Sequence, residues 1–226
     1  MNEHSPHPEF AVQAAEILLE IKAINFNLQN PFTLTSGLLS PVYVDCRRII
    51  SFPRARKAII RMMVDLINSR QGFEAFHNIA GGESAGIPFG ALVAHEMSLP
   101  MTYIRKKPKG HGRKSRIEGI INKGDRVLLV EDLATDGGSK INFVNAIREA
   151  GGICEDTIVV FYYGITTNSV NALEANSIKL HYLTNWEAVM QSPRINSLLT
   201  SEELSSVREF LINPKDWKKI YQIPRE

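Results

Sequence analysis

The sequence predicts an α/β protein in which a parallel sheet is flanked by helices. Two observations carry this. Short apolar runs alternate with amphipathic helical stretches between Ala75 and Tyr162, and two of those runs lead into glycine-containing turns, at Gly81-Gly82 and Gly137-Gly138. Strands that alternate with helices pair in parallel and are covered on both faces. At 226 residues, with 44% hydrophobic and 22% charged residues, the chain suits a single domain whose core needs no disulfide staples.

The elements follow in order. Glu9 to Ile24 sets Phe10, Ala14, Ile17, Leu18 and Ile21 on one face of an N-terminal helix. Asn30 to Pro41, crowded with Pro31, Ser36, Gly37 and Ser40, reads as loop and turn, and Val42 to Cys46 as a short strand. Pro53 sits in the first turn of a second helix, through Ile59, Ile60, Met63, Val64 and Ile67, that stops near Gly72. Ala75 to Ala80 is a strand, Gly81-Gly82 its turn, and Ile87 to Met97 the next helix. Met101 to Arg105 is a strand, Lys106 to Gly119 a polar basic loop, and Arg126 to Val130 a strand buried on both faces. Ile141 to Ala150 forms a helix closed by Gly151-Gly152, before a buried strand over Thr157 to Tyr162. Past Asn168, helices over Ser169 to Asn176 and Ser201 to Leu211 surround a strand over Lys179 to Leu183, with the Ser201 hydroxyl placed as a cap.

Bulk properties exclude several classes. With 26 basic and 24 acidic residues, a formal charge of +2 gives no general attraction for polyanions, so any basic site is local. Met1 to Phe10 lacks the basic start and apolar stretch of a secretory signal. No apolar run approaches the roughly 20 residues needed to span a bilayer. A cytoplasmic protein that binds neither membrane nor nucleic acid is expected. The two cysteines, Cys46 and Cys154, lie far apart in apolar runs and read as buried thiols.

The most informative segment is Val127 to Lys140, VLLVEDLATDGGSK. A buried strand ends in Glu131-Asp132 and turns through Thr135, Asp136, Gly137, Gly138 and Ser139 into a helix. Ligands of open α/β sheets lie beyond the carboxyl ends of the strands, where a helix amino end offers N–H groups and a positive dipole end to an anion. An acidic pair by itself only closes a strand. Joined to this turn, it points to a sugar carrying phosphate, because two carboxylates losing hydration together need a diol or a hydrated cation against them.

This segment resembles the signature of the phosphoribosyltransferase family, and with it the type I fold with a small N-terminal hood: about 1–50 as hood and about 70–165 as core. The resemblance implies that Glu131 and Asp132 hold the ribose hydroxyls of phosphoribosyl pyrophosphate (PRPP). It also implies that Leu133, Ala134, Thr135, Asp136, Gly137, Gly138 and Ser139 wrap the 5-phosphate. Asp136 stands where Thr or Ala is more usual, and its backbone N–H still serves.

Three further segments point to the orotate-using branch. Arg105-Lys106-Lys107-Pro108-Lys109-Gly110-His111-Gly112 resembles its catalytic loop, with Arg105, Lys106, Lys109 and His111 on the pyrophosphate. Such a loop can close over a leaving pyrophosphate and neutralise the charge that develops there. The run lacks the interleaved aromatics of a nucleic-acid surface. Phe32 to Gly37 with Ser40 to Arg47 resembles the base-binding hood, and the resemblance places Ser36, Gly37 and Thr135 on orotate. Some members have Lys at the places of Thr35 or Leu39, and some have Arg near Tyr162-Tyr163, where this chain has Tyr163. Ala80 to Pro88 resembles the pyrophosphate loop, its glycines allowing positive φ and close approach. Trp186, Trp217 and Tyr221 read as packing residues.

The resemblance implies transfer of ribose 5-phosphate to orotate, giving orotidine 5′-monophosphate on the route to UMP. Lys109, Arg105, His111 and Asp132 are its catalytic residues. Mg²⁺ is the cofactor, held mainly by substrate and water with no protein ligand set, and the active sites are shared in a homodimer. Two alternatives stay open: a phosphoribosyltransferase for another base, and a non-catalytic PRPP-binding regulator.

Overall fold

The computed structural model describes residues 8–34, 36–108, 116–135, 137–165 and 168–217. Helix α1 (Pro8–Glu20) buries Ala11, Ala14, Ala15, Leu18 and Leu19 as one apolar face. It stops short of the expected Ile24 because Lys22 adopts the left-handed region at φ 56 and the Ala23 N–H turns back to the Leu18 carbonyl at 2.8 Å.

The segment expected to be loop, Asn30 to Pro41, carries two short strands, and the strand expected from Val42 is present. β1 (Ile24–Phe26), β2 (Phe32–Thr33), β3 (Leu39–Ser40) and β4 (Val42–Val44) form two small antiparallel pairs, β1 with β4 and β2 with β3. Cys46 does not extend β4: it opens a 3₁₀ turn (Cys46–Ser51) capped by Asp45, whose side chain accepts from the Arg47 N–H. Helix α2 (Pro53–Gln71) has Pro53 in its first turn and Gly72 as its cap, as expected.

The remaining elements are β5 (Asn78–Gly82), α3 (Gly86–Met97), β6 (Met101–Ile104), β7 (Ile117–Glu118), β8 (Arg126–Ala134), α4 (Gly138–Glu149), β9 (Ile153–Tyr162), α5 (Asn168–Ala175), β10 (Lys179–Asn185), α6 (Trp186–Gln191), a 3₁₀ turn (Pro193–Ser197) and α7 (Ser201–Ile212). Six strands form the central sheet in the order β10-β9-β8-β5-β6-β7, parallel except for β7, which runs antiparallel to β6.

Strand alternation divides the core into two layers. Leu128, Val130, Ile158 and Val160 pack with the helices α1, α2 and α3, while Val127, Leu129 and Val159 pack with Phe143, Val144 and Ile147 of α4 and Leu173 of α5. Each such side chain removed from water contributes roughly 1.5–3 kcal/mol. This is why the apolar runs of β8 and β9 become central strands.

Several boundaries correct the expectation. β5 begins at Asn78, not Ala75: the buried Asn78 amide donates to the Ile120 carbonyl at 2.9 Å and accepts from Thr102 Oγ1 at 3.0 Å, so a polar residue sits inside the sheet. Gly81 and Gly82 pair with Tyr103 and Ile104 and belong to the strand rather than to a turn. The cap of α7 is Thr200, not Ser201, in a reciprocal pair with Glu203. Element α6 has no counterpart in the sequence reading. Cys46 and Cys154 are buried free thiols, and Trp186 and Trp217 are buried; Tyr221 lies outside the described residues. Among the described residues no helix is long and apolar enough to cross a membrane.

Candidate active site

Strand β8 runs past its expected end at Val130. Glu131, Leu133 and Ala134 pair with Val159, Phe161 and Tyr162 of β9. The acidic pair therefore sits within a strand, and the turn proper is shorter than the sequence suggests. Thr135 is exposed, Asp136 lies outside the described residues, and Gly137 takes φ 80, a conformation glycine adopts without steric cost. Gly138 and Ser139 are exposed in the first turn of α4, beyond the carboxyl end of β8. The aligned peptide dipoles of that helix favour an anion there. The carbonyls of Leu133 and Ala134 are already engaged: Lys140 Nζ donates to the first and the Tyr163 N–H, at 2.8 Å, to the second.

The two acidic residues differ. Glu131 is only 6% exposed, and its carboxyl lies beneath Gly82 and Gly86, where an added Cβ would come within 1.9 Å and 2.4 Å of Oε1. Neither glycine has positive φ, so close approach rather than turn geometry requires them. Glu131 Oε1 is buried with no hydrogen-bond partner among the described residues, and Oε2 is 3.9 Å from Lys140 Nζ. Burial pushes the Glu131 carboxyl up to about 8, against the opposing pull of Lys140. Asp132 is half-buried; burial raises its carboxyl too, offset by Lys140, by the Asp132 and Leu133 N–H groups and by Arg47. Of the pair, Asp132 is the more exposed.

The loop between β5 and α3 contains a cis peptide between Glu83 and Ser84. The Glu83 N–H donates to the Ile104 carbonyl at 2.9 Å, and its carboxylate accepts from the Lys106 N–H at 2.7 Å. This ties the expected pyrophosphate loop to the start of the basic run. Arg105 and Arg116 form the neck of a hairpin between β6 and β7, linked by the Arg105 N–H to the Arg116 carbonyl at 2.8 Å and by Arg116 Nε to the Arg105 carbonyl at 2.9 Å. The Arg105 guanidinium lies 3.6 Å from Glu118. Lys106 is exposed, and its charge is among those that oppose the rise at Glu131. Lys109 and His111 lie outside the described residues.

At the other side, Ser36 and Gly37 form the exposed tip of the β2–β3 hairpin, with Gly37 at φ 79 and its N–H on the Leu34 carbonyl at 2.8 Å. Thr35 is outside the described residues. Strand β4, which follows the hairpin, is anchored by Tyr163, buried just past the end of β9, whose hydroxyl donates to the Val42 carbonyl at 3.2 Å. Burial pushes that phenol up to about 12. The Arg47 side chain holds Asp45 at 2.6 Å and is electrostatically coupled to Asp132.

Sequence reading missed the roles of Lys140, Tyr163 and Arg47. For Lys140 a signal existed: a cation in the first turn of a helix opposes the dipole and needs another reason to be there. Among the described residues no group of three or more His, Cys, Asp or Glu could enclose a metal. Asp132, with Glu131 buried behind it, nevertheless offers a hard oxygen donor that suits Mg²⁺, so the residues fit a cation held largely through substrate and water.

An exposed helix start and an acidic pair lie near the carboxyl end of β8, with the neck of a basic hairpin beyond β6, an arrangement suited to a phosphorylated sugar. The chain belongs to the phosphoribosyltransferase family: residues 48–194 match the family described as "Phosphoribosyl transferase domain". It is 53% identical over 213 residues, 94% of this chain and 92% of the relative, to a protein of Cereibacter sphaeroides named orotate phosphoribosyltransferase. Among solved structures it resembles the UMP synthase of Leishmania donovani, with a TM-score of 0.74 and 26% identity over 88% of this chain and 42% of that longer one. It also resembles the orotate phosphoribosyltransferase of Aeropyrum pernix, with a TM-score of 0.69 and 25% identity over 78% of this chain and 96% of the other.

Proposed function

We infer that this chain is an orotate phosphoribosyltransferase, joining N1 of orotate to C1 of the ribose 5-phosphate of PRPP and releasing pyrophosphate. The observation that carries this reading is the β8–α4 unit, with its acidic strand end, Gly137 turn and exposed helix start, set beside the stem of the basic hairpin. The resemblance to relatives bearing that name over nearly the whole chain supports orotate as the base.

The reaction passes through an oxocarbenium-like sugar and needs charge handling rather than a protein nucleophile. The amino end of α4, with Thr135, Gly138 and Ser139, holds the 5-phosphate. Asp132 accepts hydrogen bonds from the ribose hydroxyls. Arg105, Lys106, Lys109 and His111 neutralise the departing pyrophosphate, and the hood around Ser36 and Gly37 orients the orotate anion. Asp132, with Glu131 buried behind it, would hold Mg²⁺ through the ribose diol and water, and the ion would supply charge neutralisation for the departing diphosphate. A homodimer with shared active sites and a cytoplasmic location belong to the same reading.

A non-catalytic PRPP-binding regulator is the rival. The basic segment speaks for chemistry, because a protein that only binds PRPP has no leaving group to stabilise. The test is to mix purified protein with PRPP, Mg²⁺ and, in parallel, orotate, uracil, hypoxanthine or adenine, and to follow pyrophosphate release. Release with orotate alone supports the reading; release with another base instead, or with none, overturns it.

A further inference from the structure

Lys140 is 5% exposed, although lysine is the residue least suited to burial. An ammonium removed from water must find partners, and an apolar residue of similar volume is often as stable or more stable in such a place. Its partners are specific. Nζ donates to the Leu133 carbonyl at the end of β8 and, at 3.4 Å, to Ser139 Oγ in the first turn of α4, and it lies 3.9 Å from Glu131 Oε2. Leu133 lies near the end of β8 and Ser139 in the first turn of α4, so one side chain bridges the two elements on either side of the turn while facing the buried carboxyl beneath Gly82 and Gly86.

We propose that Lys140 is a positioning residue, an internal brace that fixes the Leu133–Ser139 turn in the shape that receives the 5-phosphate of PRPP. The proposal rests on the PRPP reading above and deepens it. Lys140 is buried where Thr135, Gly138 and Ser139 are exposed, so a bound phosphate would meet those residues rather than the ammonium. Removing the charge leaves the Leu133 carbonyl and the Glu131 carboxyl without their cation and frees the turn to adopt other shapes. The cost should therefore fall on binding of the phosphorylated sugar, not on the base or on the chemical step.

The test is calorimetric titration of PRPP with Mg²⁺, without orotate, into the wild-type chain and the variants Lys140→Met and Lys140→Gln. It is accompanied by KM for each substrate and kcat, with circular dichroism melting as the check of fold. Lys140→Met is expected to weaken PRPP binding by about tenfold or more, with kcat and the KM for orotate within a few-fold. Lys140→Gln, which can still donate to Leu133, is expected to fall between. PRPP affinity within twofold of wild type in a folded variant overturns the proposal, even if the melting temperature drops. Loss of fold in both variants overturns it too, since the charge would then hold up the core rather than the turn. A wild-type chain that binds PRPP but does not use orotate refutes the proposed function and leaves the brace standing. One that uses orotate, with variants that bind PRPP normally, does the reverse.

Discussion

The Tyr163 hydroxyl donates to the Val42 carbonyl at 3.2 Å, joining positions 121 residues apart. The same residue donates its N–H to the Ala134 carbonyl at 2.8 Å, so it links β4 to the carboxyl end of β8. Its ring meets Phe161 and Trp186 edge-on at 6.0 Å and 5.5 Å. Tyr163→Phe keeps that packing and deletes one buried hydrogen bond. A loss of roughly 0.5–1.5 kcal/mol is expected, together with a raised KM for orotate and an unchanged KM for PRPP. Denaturant melts and initial rates check both.

Gly82 leaves no room for a side chain. A Cβ there would come 1.9 Å from Glu131 Oε1 and 2.6 Å from Phe143, one an acidic side chain of the site and the other a fully buried ring. Gly82→Ala is therefore expected to destabilise by about 1–3 kcal/mol and to weaken PRPP binding by displacing the carboxyl. Titration of PRPP into the folded variant reads the second effect; an unchanged affinity would place Glu131 outside the sugar site.

The Glu131 carboxyl gives a signed pH dependence. Burial raises it from the ordinary 4.5 to about 8, with Asp132 adding to the rise and Lys140 and Lys106 opposing it. Between those two values the folded chain holds a proton that the unfolded chain has released. This group's contribution to stability is therefore fully present below about 4.5 and is lost as pH rises towards about 8. Glu131→Gln removes the linkage. The melting temperature of the wild type is expected to fall relative to that variant between pH 5 and pH 8, a range of roughly three units; parallel curves would refute the raised value.

Lys109, outside the described residues, belongs to the basic run that the family resemblance assigns to pyrophosphate. Lys109→Ala is expected to lower turnover by more than ~10²-fold while PRPP affinity stays within a few-fold, because the charge is used chiefly as the leaving group departs. Equal losses in both would reject that role. Stopped-flow turnover and calorimetry separate them.

Much of this molecule was legible in the sequence, for identifiable reasons. The parallel core could be read because β8 and β9 are buried on both faces and so appear as continuous apolar runs. The turn between β8 and α4 could be read because Gly137 adopts positive φ and the chain announces that with Gly-Gly. Other features left weaker traces. Asn78 opens β5 as a buried polar residue satisfied by Thr102 and Ile120, contacts distant in sequence, so the apolar pattern placed the strand too early. Strands β2 and β3 are two residues long, too short to show a period, so their segment reads as loop. The divergence of Glu131 and Asp132 depends on Gly82 and Gly86 arriving from another strand and helix, which no local spacing encodes.

The central claim, transfer of a ribose phosphate to orotate, is tested most directly by the fall in orotate absorbance when the purified chain meets orotate, PRPP and Mg²⁺. A fall that requires both PRPP and the metal, with no reaction of uracil, hypoxanthine or adenine, is the expected result. PRPP binding without loss of any of the four bases would contradict it and leave a regulator in its place.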